Sequence, residues 1–535
     1  MPDSTEAVNA SLSYSKCEDK GEFLEWSVGD LLRNAAHADP HRIALIAVDA
    51  AQEKRWTYSE LLAIAERAAG ALLRDFRPGD CVATCAANRT ELIFLQLGAA
   101  LAGIVLATLN PANRAAELTY QLEQSKARGL FVDRSFRGND NTELVEGLRH
   151  VLPGLQRIAY ADELPTYIDA GSIAALPRVA PNGPAMILFT SGTTGKSKAV
   201  VLRHSGIVNN ALLMNQRMDI ESSSVWLTMV PLFHIGGSVT MILGCLANGG
   251  TNVLLPEFNP DSALDAIARY RVSFMFLVPT MLYALFENPQ FEATDRASMR
   301  LIMTGATVIT PELVREIRRK FNVDVVVAFG QTEAGGCMYS TRRHDGEEQV
   351  TRSVGGPIAL SEGKVISVTT GETLPLGQIG EICIRTPCAM IEYLGMPDKT
   401  AETLDEEGWL HTGDLGLMRD DGYVAITGRL KDMIIRGGEN IYPREIEDVL
   451  AEHEAVSQAA VFGIPDKRWG ETVAAAVVLR QRGEGMPEAL AAFLEQRIAR
   501  HKVPRSWFFV DSLPTTASGK VQKFVLRDRF GIQKA

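Results

Sequence analysis

Phe189-Thr190-Ser191-Gly192-Thr193-Thr194-Gly195-Lys196-Ser197-Lys198 decides how this chain is read. Two glycines, a run of hydroxyl residues and two lysines make a flexible loop rich in hydrogen-bond donors. Backbone N–H groups and hydroxyls on such a loop wrap phosphate oxygens, and a lysine adds positive charge. The Gly195-Lys196-Ser197 end imitates a Walker A loop, but that pattern puts its first glycine where Thr190 stands. A Walker loop also feeds a helix whose N-terminus holds the phosphates. Here Ala199-Val200-Val201-Leu202 reads as a strand, so the loop joins strand to strand. A hairpin turn rich in Gly, Ser and Thr accounts for many short stretches of this kind; it does not account for the whole pattern.

Working outward, helical and strand-like patterns alternate, as in a layered α/β protein. Trp56 to Arg74 carries Leu61, Leu62, Ile64, Ala65, Ala68, Ala69 and Leu72 at helical spacing, after Thr57 and Ser59 as caps. Short buried strands are expected at Cys81-Val82-Ala83, Ile104 to Ala107, Ala185 to Phe189, Val225 to Val230, Asn252 to Leu255, Phe274 to Val278 and Val323 to Phe329. Leu92 to Leu109 is almost uncharged and nearly long enough to cross a bilayer. Gly103 breaks it into a helical half and a β-like half, which reads as a buried helix followed by a buried strand. From about Gly355 the pattern changes to short strands and turns, with the hairpin signal Asp420-Asp421-Gly422. In the last part Pro443 opens a helix that turns Ile446, Val449 and Leu450 to one side. Strands follow at Ala459 to Phe462 and Val473 to Leu479. A helix from Pro487 to Arg500 is stopped by Pro504; then come a strand at Trp507 to Val510, a polar loop and a terminal helix.

The chain has 535 residues, 46% of them hydrophobic and 22% charged, an ordinary globular balance that implies several domains. A formal net charge of −11 without a Lys/Arg stripe argues against nucleic acid as a partner. Seven scattered cysteines include no CxxC and no zinc spacing, which reads as reduced thiols in the cytoplasm. The first twenty residues lack a signal-peptide pattern, and no membrane span is expected.

Five further motifs follow the loop in order. They are Phe329-Gly330-Gln331-Thr332-Glu333, Gly408-Trp409-Leu410-His411-Thr412-Gly413-Asp414, Gly428-Arg429-Leu430-Lys431-Asp432, Gly437-Gly438-Glu439-Asn440-Ile441-Tyr442-Pro443-Arg444-Glu445-Ile446-Glu447 and Pro514-Thr515-Thr516-Ala517-Ser518-Gly519-Lys520. Together with the loop they resemble the adenylate-forming superfamily of acyl-CoA synthetases, adenylation domains and luciferase-like enzymes, and within it the acyl-CoA synthetase branch. The resemblance implies an α/β fold. A large N-terminal domain (1–430) of layered sheets and helices with a β-barrel-like part would join a small, mobile α+β C-terminal domain (431–535) at a hinge near Lys431. It also implies an ATP-dependent ligase that makes acyl-AMP and passes the acyl group to coenzyme A.

Each residue role comes from the same resemblance. Thr190, Ser191, Gly192, Thr193, Thr194, Gly195 and Lys198 would hold the β- and γ-phosphates of ATP. The loop departs from the common pattern at Ser197, usually proline, and Ala199, usually glycine. Phe329 would pack on adenine, in the segment shared with Gly330 and Gln331. Thr332 would touch the α-phosphate and Glu333 would bind Mg²⁺, a hard cation suited to a carboxylate. Asp414 would accept the ribose hydroxyls, with Arg429 on the ribose or phosphates. Lys520 would sit between the attacking carboxylate and the α-phosphate and offset their repulsion. Gly437, Gly438 and Glu439 belong to the loop expected at the thiol channel.

The acyl pocket is expected around Val230-Pro231-Leu232-Phe233-His234-Ile235-Gly236-Gly237, with Gly305, Ala306 and Gly335. Leu232 and Phe233 offer no carboxylate for a substrate ammonium, so an amino acid is disfavoured. His234 is either a gate or a packed histidine. Gly305, Gly330, Gly335 and Gly336 suggest space for a fairly large apolar acid: fatty, aryl or alicyclic. Transfer to a carrier protein, oxidation as in luciferases, and a nucleotide-binding protein without catalysis are the alternatives. The chain is expected to act as a monomer or homodimer.

Overall fold

A computed structural model describes residues 11–48, 53–172, 175–190, 197–305, 309–437, 439–480, 485–515 and 521–531. The chain divides into two compact units: Ser15–Gly363 with Ile384–His411, and Met1–Tyr14 with Lys364–Cys383 and Thr412–Ala535.

The first unit is built on two sheets. One has seven strands in the order Glu392–Tyr393, Lys198–Arg203, Pro184–Thr190, Val105–Thr108, Cys81–Cys85, Ala127–Val132 and Arg157–Tyr160. Its central pairs are parallel, which suits strands buried on both faces. The other has nine strands, from Gly356–Pro357 through Gly336–Ser340, Asp324–Gln331, Leu301–Gly305, Phe274–Leu277, Val225–Thr228, Thr251–Leu254 and Ile43–Val48 to Glu53–Thr57. Each strand expected from sequence in this unit is present, within one or two residues at its ends.

The apolar stretch after Leu92 is the helix Thr90–Ala102, buried on every side and therefore hydrophobic all round. Gly103 ends it in the left-handed conformation at φ +67°, and the strand Val105–Thr108 follows. Among the described residues no helix is long and apolar enough to cross a membrane. Its neighbour, Tyr58–Asp75, starts where the strand Glu53–Thr57 ends, later than the apolar spacing alone suggests. Thr57 is its cap: the Thr57 hydroxyl accepts the Glu60 N–H while the Glu60 carboxylate accepts the Thr57 N–H. A Cβ on Gly98 would lie 2.6 Å from the Ala68 Cβ, so glycine lets these two helices approach backbone to backbone.

The second unit contains most of a five-stranded sheet ordered Tyr14–Lys16, Glu362–Ile366, Gly380–Arg385, Trp409–Met418 and Val424–Arg429. This is the β-barrel-like part, and Gly422 closes its last hairpin at φ +77°. The C-terminal α+β part has the strands Val456–Asp466 and Gly470–Leu479 paired antiparallel, with Ser506–Phe509 parallel to the latter. The helix Pro443–Ala451 buries Ile446 and Leu450. The helix expected to run to Arg500 is shorter, Met486–Glu495. The Leu494 carbonyl accepts the N–H groups of both Arg497 and Ile498, while the Arg497 guanidinium donates to the Phe493 carbonyl. Those competing bonds end the helix well before Pro504.

One buried histidine makes the first unit pH-sensitive. His204 is fully buried, and its Nδ1 accepts the Val28 N–H, one of the unpaired donors at the start of the helix Val28–Ala38. Burial, opposed by the charge of Asp30, pushes its pKa down to about 4. An unfolded histidine binds its proton near pH 6.5. The unfolded chain therefore gains protons first as pH falls from there towards 4, removing on the order of 3 kcal/mol of stability. Thermal unfolding between pH 7 and pH 4.5 is expected to show this loss in the native protein and a flatter profile in His204→Asn.

Candidate active site

Thr190 closes one strand and Lys198 opens the next, and the two stand opposite each other in an antiparallel pair. The loop therefore joins strand to strand. Ser191, Gly192, Thr193, Thr194, Gly195 and Lys196 lie outside the described residues. The loop's return end is held from the helix Ala115–Ser125: the Tyr120 hydroxyl donates to the Ser197 carbonyl at 3.0 Å, and the Gln121 amide donates to the Ser197 hydroxyl at 3.2 Å. The second bond needs the serine that stands here in place of proline.

Glu333 lies in a 3₁₀ turn, Thr332–Ala334, after the strand Asp324–Gln331. Its Oε1 accepts the Tyr393 hydroxyl at 2.7 Å and the Thr190 hydroxyl at 3.3 Å, and its carbonyl accepts the Met390 N–H at 2.7 Å. The Lys198 ammonium stands 3.8 Å from the centre of the Tyr393 ring, a cation–π contact. Burial, and then the charge of Glu333, push the Tyr393 phenol well above its ordinary pKa. Thr190, Lys198 and Glu333, widely separated in sequence, thus meet around Tyr393. A carboxylate and a hydroxyl side by side are the hard oxygen donors that fit Mg²⁺, and the adjacent lysine suits phosphate.

Phe329 stacks on Tyr339 with ring centres 6.1 Å apart. Gly330 and Gln331 are strand residues opposite Cys337 and Gly336. Gly305 ends the strand Leu301–Gly305, and Ala306 lies outside the described residues. The four glycines expected to leave space for the acid have another cause. A Cβ would lie 2.2 Å from the Ala328 carbonyl oxygen at Gly305, 2.3 Å from the Gly336 oxygen at Gly330 and 2.5 Å from the Cys388 oxygen at Gly335. At Gly336, with φ +136°, it would lie 2.4 Å from the Asn210 side-chain oxygen. Close packing requires all four, so they carry no information about acid size.

The segment Val230 to Gly237 is fixed by polar groups that sequence reasoning missed. Buried Asn88 donates to the Val230 carbonyl at 3.0 Å and the Leu255 carbonyl at 3.4 Å, and accepts the Leu232 N–H at 2.8 Å. Thr108 donates to the Phe233 carbonyl at 3.0 Å and Gln96 to the Ser238 carbonyl at 3.1 Å. The His234 ring packs on Phe233 at 4.5 Å, and its carbonyl accepts the Gly237 and Ser238 N–H groups. Nothing near Asn88 in sequence marks it; only its place before a buried helix could have drawn attention.

In the second unit, Asp414 and Arg429 face each other across a hairpin, with Arg429 Nε 3.1 Å from the Asp414 carboxylate. Lys431 lies in the turn Leu430–Asp432, and desolvation together with the charge of Arg429 lowers its pKa. Arg527 of the helix Lys523–Phe530 donates to the Lys431 carbonyl at 3.3 Å and lies 3.5 Å from Asp432. Gly437, at φ +62°, follows the strand Ile434–Arg436; Glu439 opens the return strand, 3.2 Å from the His501 ring. Gly438 and Lys520 lie outside the described residues.

The profile of the AMP-binding enzyme family matches residues 32–394, and that of the AMP-binding enzyme C-terminal domain matches residues 445–520. The chain belongs to the AMP-binding enzyme family. Human mitochondrial medium-chain acyl-CoA ligase ACSF2 is 34% identical over 553 residues, covering 97% of this chain and 90% of the relative. A CoA ligase of Rhodococcus jostii (strain RHA1), named for a bicyclic indenyl-propanoyl substrate, is 35% identical over 89% of this chain and 94% of its own. ATP-bound MatB from Rhodopseudomonas palustris superposes with a TM-score of 0.86 at 30% identity, covering 95% of this chain and 99% of that one. The AMP-binding enzyme is accordingly an acyl-CoA synthetase. It converts a carboxylic acid and ATP to acyl-AMP and pyrophosphate, then transfers the acyl group to coenzyme A with release of AMP.

Replacing Asn88 by alanine leaves the Leu232 N–H and the Val230 carbonyl without their partner. That is expected to destabilise the protein by about 2 kcal/mol. Steady-state kinetics should show a raised KM for the acid with the KM for ATP nearly unchanged.

Proposed function

We propose that the acid is hydrophobic: a fatty, aryl or alicyclic carboxylic acid without an amino group. The observation that carries this reading is the segment Val230 to Gly237. It presents Leu232 and Phe233 where a carboxylate would be needed to meet an ammonium, and Asn88 and Thr108 hold its backbone in one shape. An unpaired ammonium against such a wall would be costly to desolvate. ACSF2 is named for medium-chain acids and the Rhodococcus ligase for a bicyclic propanoyl group, which supports the same class.

The residue roles follow the family pattern. Thr190 to Gly195 and Lys198 hold the β- and γ-phosphates, Thr332 touches the α-phosphate, and Phe329, Gly330 and Gln331 flank adenine. Glu333 holds Mg²⁺, which supplies charge neutralisation at the phosphates when bound. Asp414 accepts the ribose hydroxyls, with its carboxylate oriented by Arg429. Lys520 lowers the repulsion between the acid's carboxylate and the α-phosphate during adenylation. The C-terminal domain, from Lys431 onward, then turns, and the Gly437-Gly438-Glu439 loop admits the thiol arm of coenzyme A. Seven cysteines, none in a CxxC or a zinc spacing, agree with a cytoplasmic setting.

Mass detection of acyl-CoA across a panel of fatty, aryl, alicyclic and amino acids tests the substrate class. The highest kcat/KM is expected for a hydrophobic acid, and a preference for an amino acid would overturn the proposal. Lys520→Ala is expected to abolish acyl-AMP formation while largely sparing thioester formation from supplied acyl-AMP. Equal loss of both steps would contradict its role. In Asp414→Ala the KM for ATP should rise by at least tenfold, read from the pyrophosphate-release rate at saturating acid.

A further inference from the structure

Tyr393 belongs to none of the motifs that carry the family resemblance, yet it touches two of their charged residues. It lies on the two-residue strand Glu392–Tyr393, opposite Val200 of the strand that returns from the phosphate loop. Its neighbours bind on both sides: the Ile391 and Leu394 N–H groups donate to the Val201 and Ala199 carbonyls at 2.8 and 2.9 Å. The Tyr393 N–H donates to the Thr400 hydroxyl. The backbone is thus locked, and the ring is 1% exposed.

A buried phenol needs a hydrogen-bond partner, and a backbone carbonyl is the ordinary one. Two other buried tyrosines follow that rule: Tyr58 donates to the Gly250 carbonyl and Tyr167 to the Ala71 carbonyl. Tyr393 donates to the Glu333 carboxylate instead, while the face of its ring carries the Lys198 ammonium. One rigid side chain therefore sets both a carboxylate expected to hold a cation and an ammonium expected to hold phosphate. Both hydrogen bonds to Glu333, from Tyr393 and Thr190, fall on Oε1, so the carboxylate is clamped through one oxygen and Oε2 is engaged by neither.

We propose that Tyr393 is a positioning residue for adenylation: its hydroxyl orients Glu333 toward the cation that accompanies ATP, and its ring orients Lys198 toward the phosphates. The inference rests on the reading of Glu333 as the Mg²⁺ ligand. It separates the two halves of the side chain. Tyr393→Phe keeps the ring and loses the clamp on the carboxylate; Tyr393→Leu loses both. Outer-shell hydrogen bonds to a metal-binding residue are worth about 10- to 100-fold in metal affinity.

The test uses the full-length enzyme with a non-hydrolysable ATP analogue, Mn²⁺ as the probe cation read by electron paramagnetic resonance, and the Mg²⁺ dependence of pyrophosphate release. In Tyr393→Phe, Mn²⁺ affinity should fall and the half-saturating Mg²⁺ concentration should rise, each by about tenfold or more, with the KM for ATP at saturating Mg²⁺ nearly unchanged. Tyr393→Leu should raise that KM as well. Glu333→Gln should weaken Mn²⁺ binding by itself and abolish any further effect of Tyr393→Phe. Every variant is measured below its own unfolding midpoint. A lowered midpoint with unchanged Mn²⁺ affinity in Tyr393→Phe would mean a structural role only and would overturn the inference. If Glu333→Gln leaves Mn²⁺ binding unchanged, the metal-ligand reading itself falls, and the inference falls with it.

Discussion

A backbone hydrogen bond from the Met390 N–H to the Glu333 carbonyl ties the border of the seven-stranded sheet to the nine-stranded sheet of this enzyme. The short segment from Cys388 to Leu394 borders the seven-stranded sheet beside the phosphate-loop hairpin. Glu333 follows a strand of the nine-stranded sheet. Where they meet, Asn210 adds a second tie, donating to the Cys337 carbonyl and accepting the Cys337 N–H. Gly335 and Gly336 are required there, because any side chain would strike Cys388 or Asn210. The relative placement of Thr190, Lys198 and Glu333 is therefore a property of the fold. Such preorganisation is what a reaction between two anions demands.

The distribution of charge follows from the same demand. The groups assigned to the nucleotide are charged side chains held by other charged or polar groups: Glu333 by Tyr393 and Thr190, Asp414 by Arg429. The segment assigned to the acid is the opposite, an apolar surface whose shape depends on buried amides and hydroxyls behind it. Asn88, Gln96 and Thr108 satisfy backbone groups that would otherwise be stranded next to apolar neighbours.

Much of this was legible in sequence, because the signals were local. The strand-loop-strand reading of Phe189 to Leu202 held in the register Thr190 opposite Lys198. Gly103 marked the end of a buried helix, Pro443 opened one, and Gly422 turned a hairpin. Interactions between distant segments were not legible. Tyr393 sits among ordinary apolar residues and acquires its role only through pairing with the strand Lys198–Arg203, 60 residues from the Glu333 it contacts. Asn88 carries no local signal, since its partners at Val230, Leu232 and Leu255 are far away in sequence. Gly305, Gly330, Gly335 and Gly336 suggest open space from sequence alone, because sequence does not tell a glycine that admits a ligand from one that admits a neighbouring backbone. The helix expected to reach Arg500 stopped early because Arg497 supplies its own cap, a detail that apolar periodicity does not contain.

The central claim, that acid activation passes through an adenylate before the thiol reacts, is tested most directly by a single-turnover experiment without coenzyme A. Enzyme mixed with MgATP labelled at the α-phosphate and a hydrophobic acid should yield one acyl-AMP and one pyrophosphate per active chain within the first turnover. Addition of coenzyme A should then convert that adenylate to acyl-CoA and AMP. Formation of ADP and an acyl phosphate, or no label transfer until coenzyme A is present, would contradict the account.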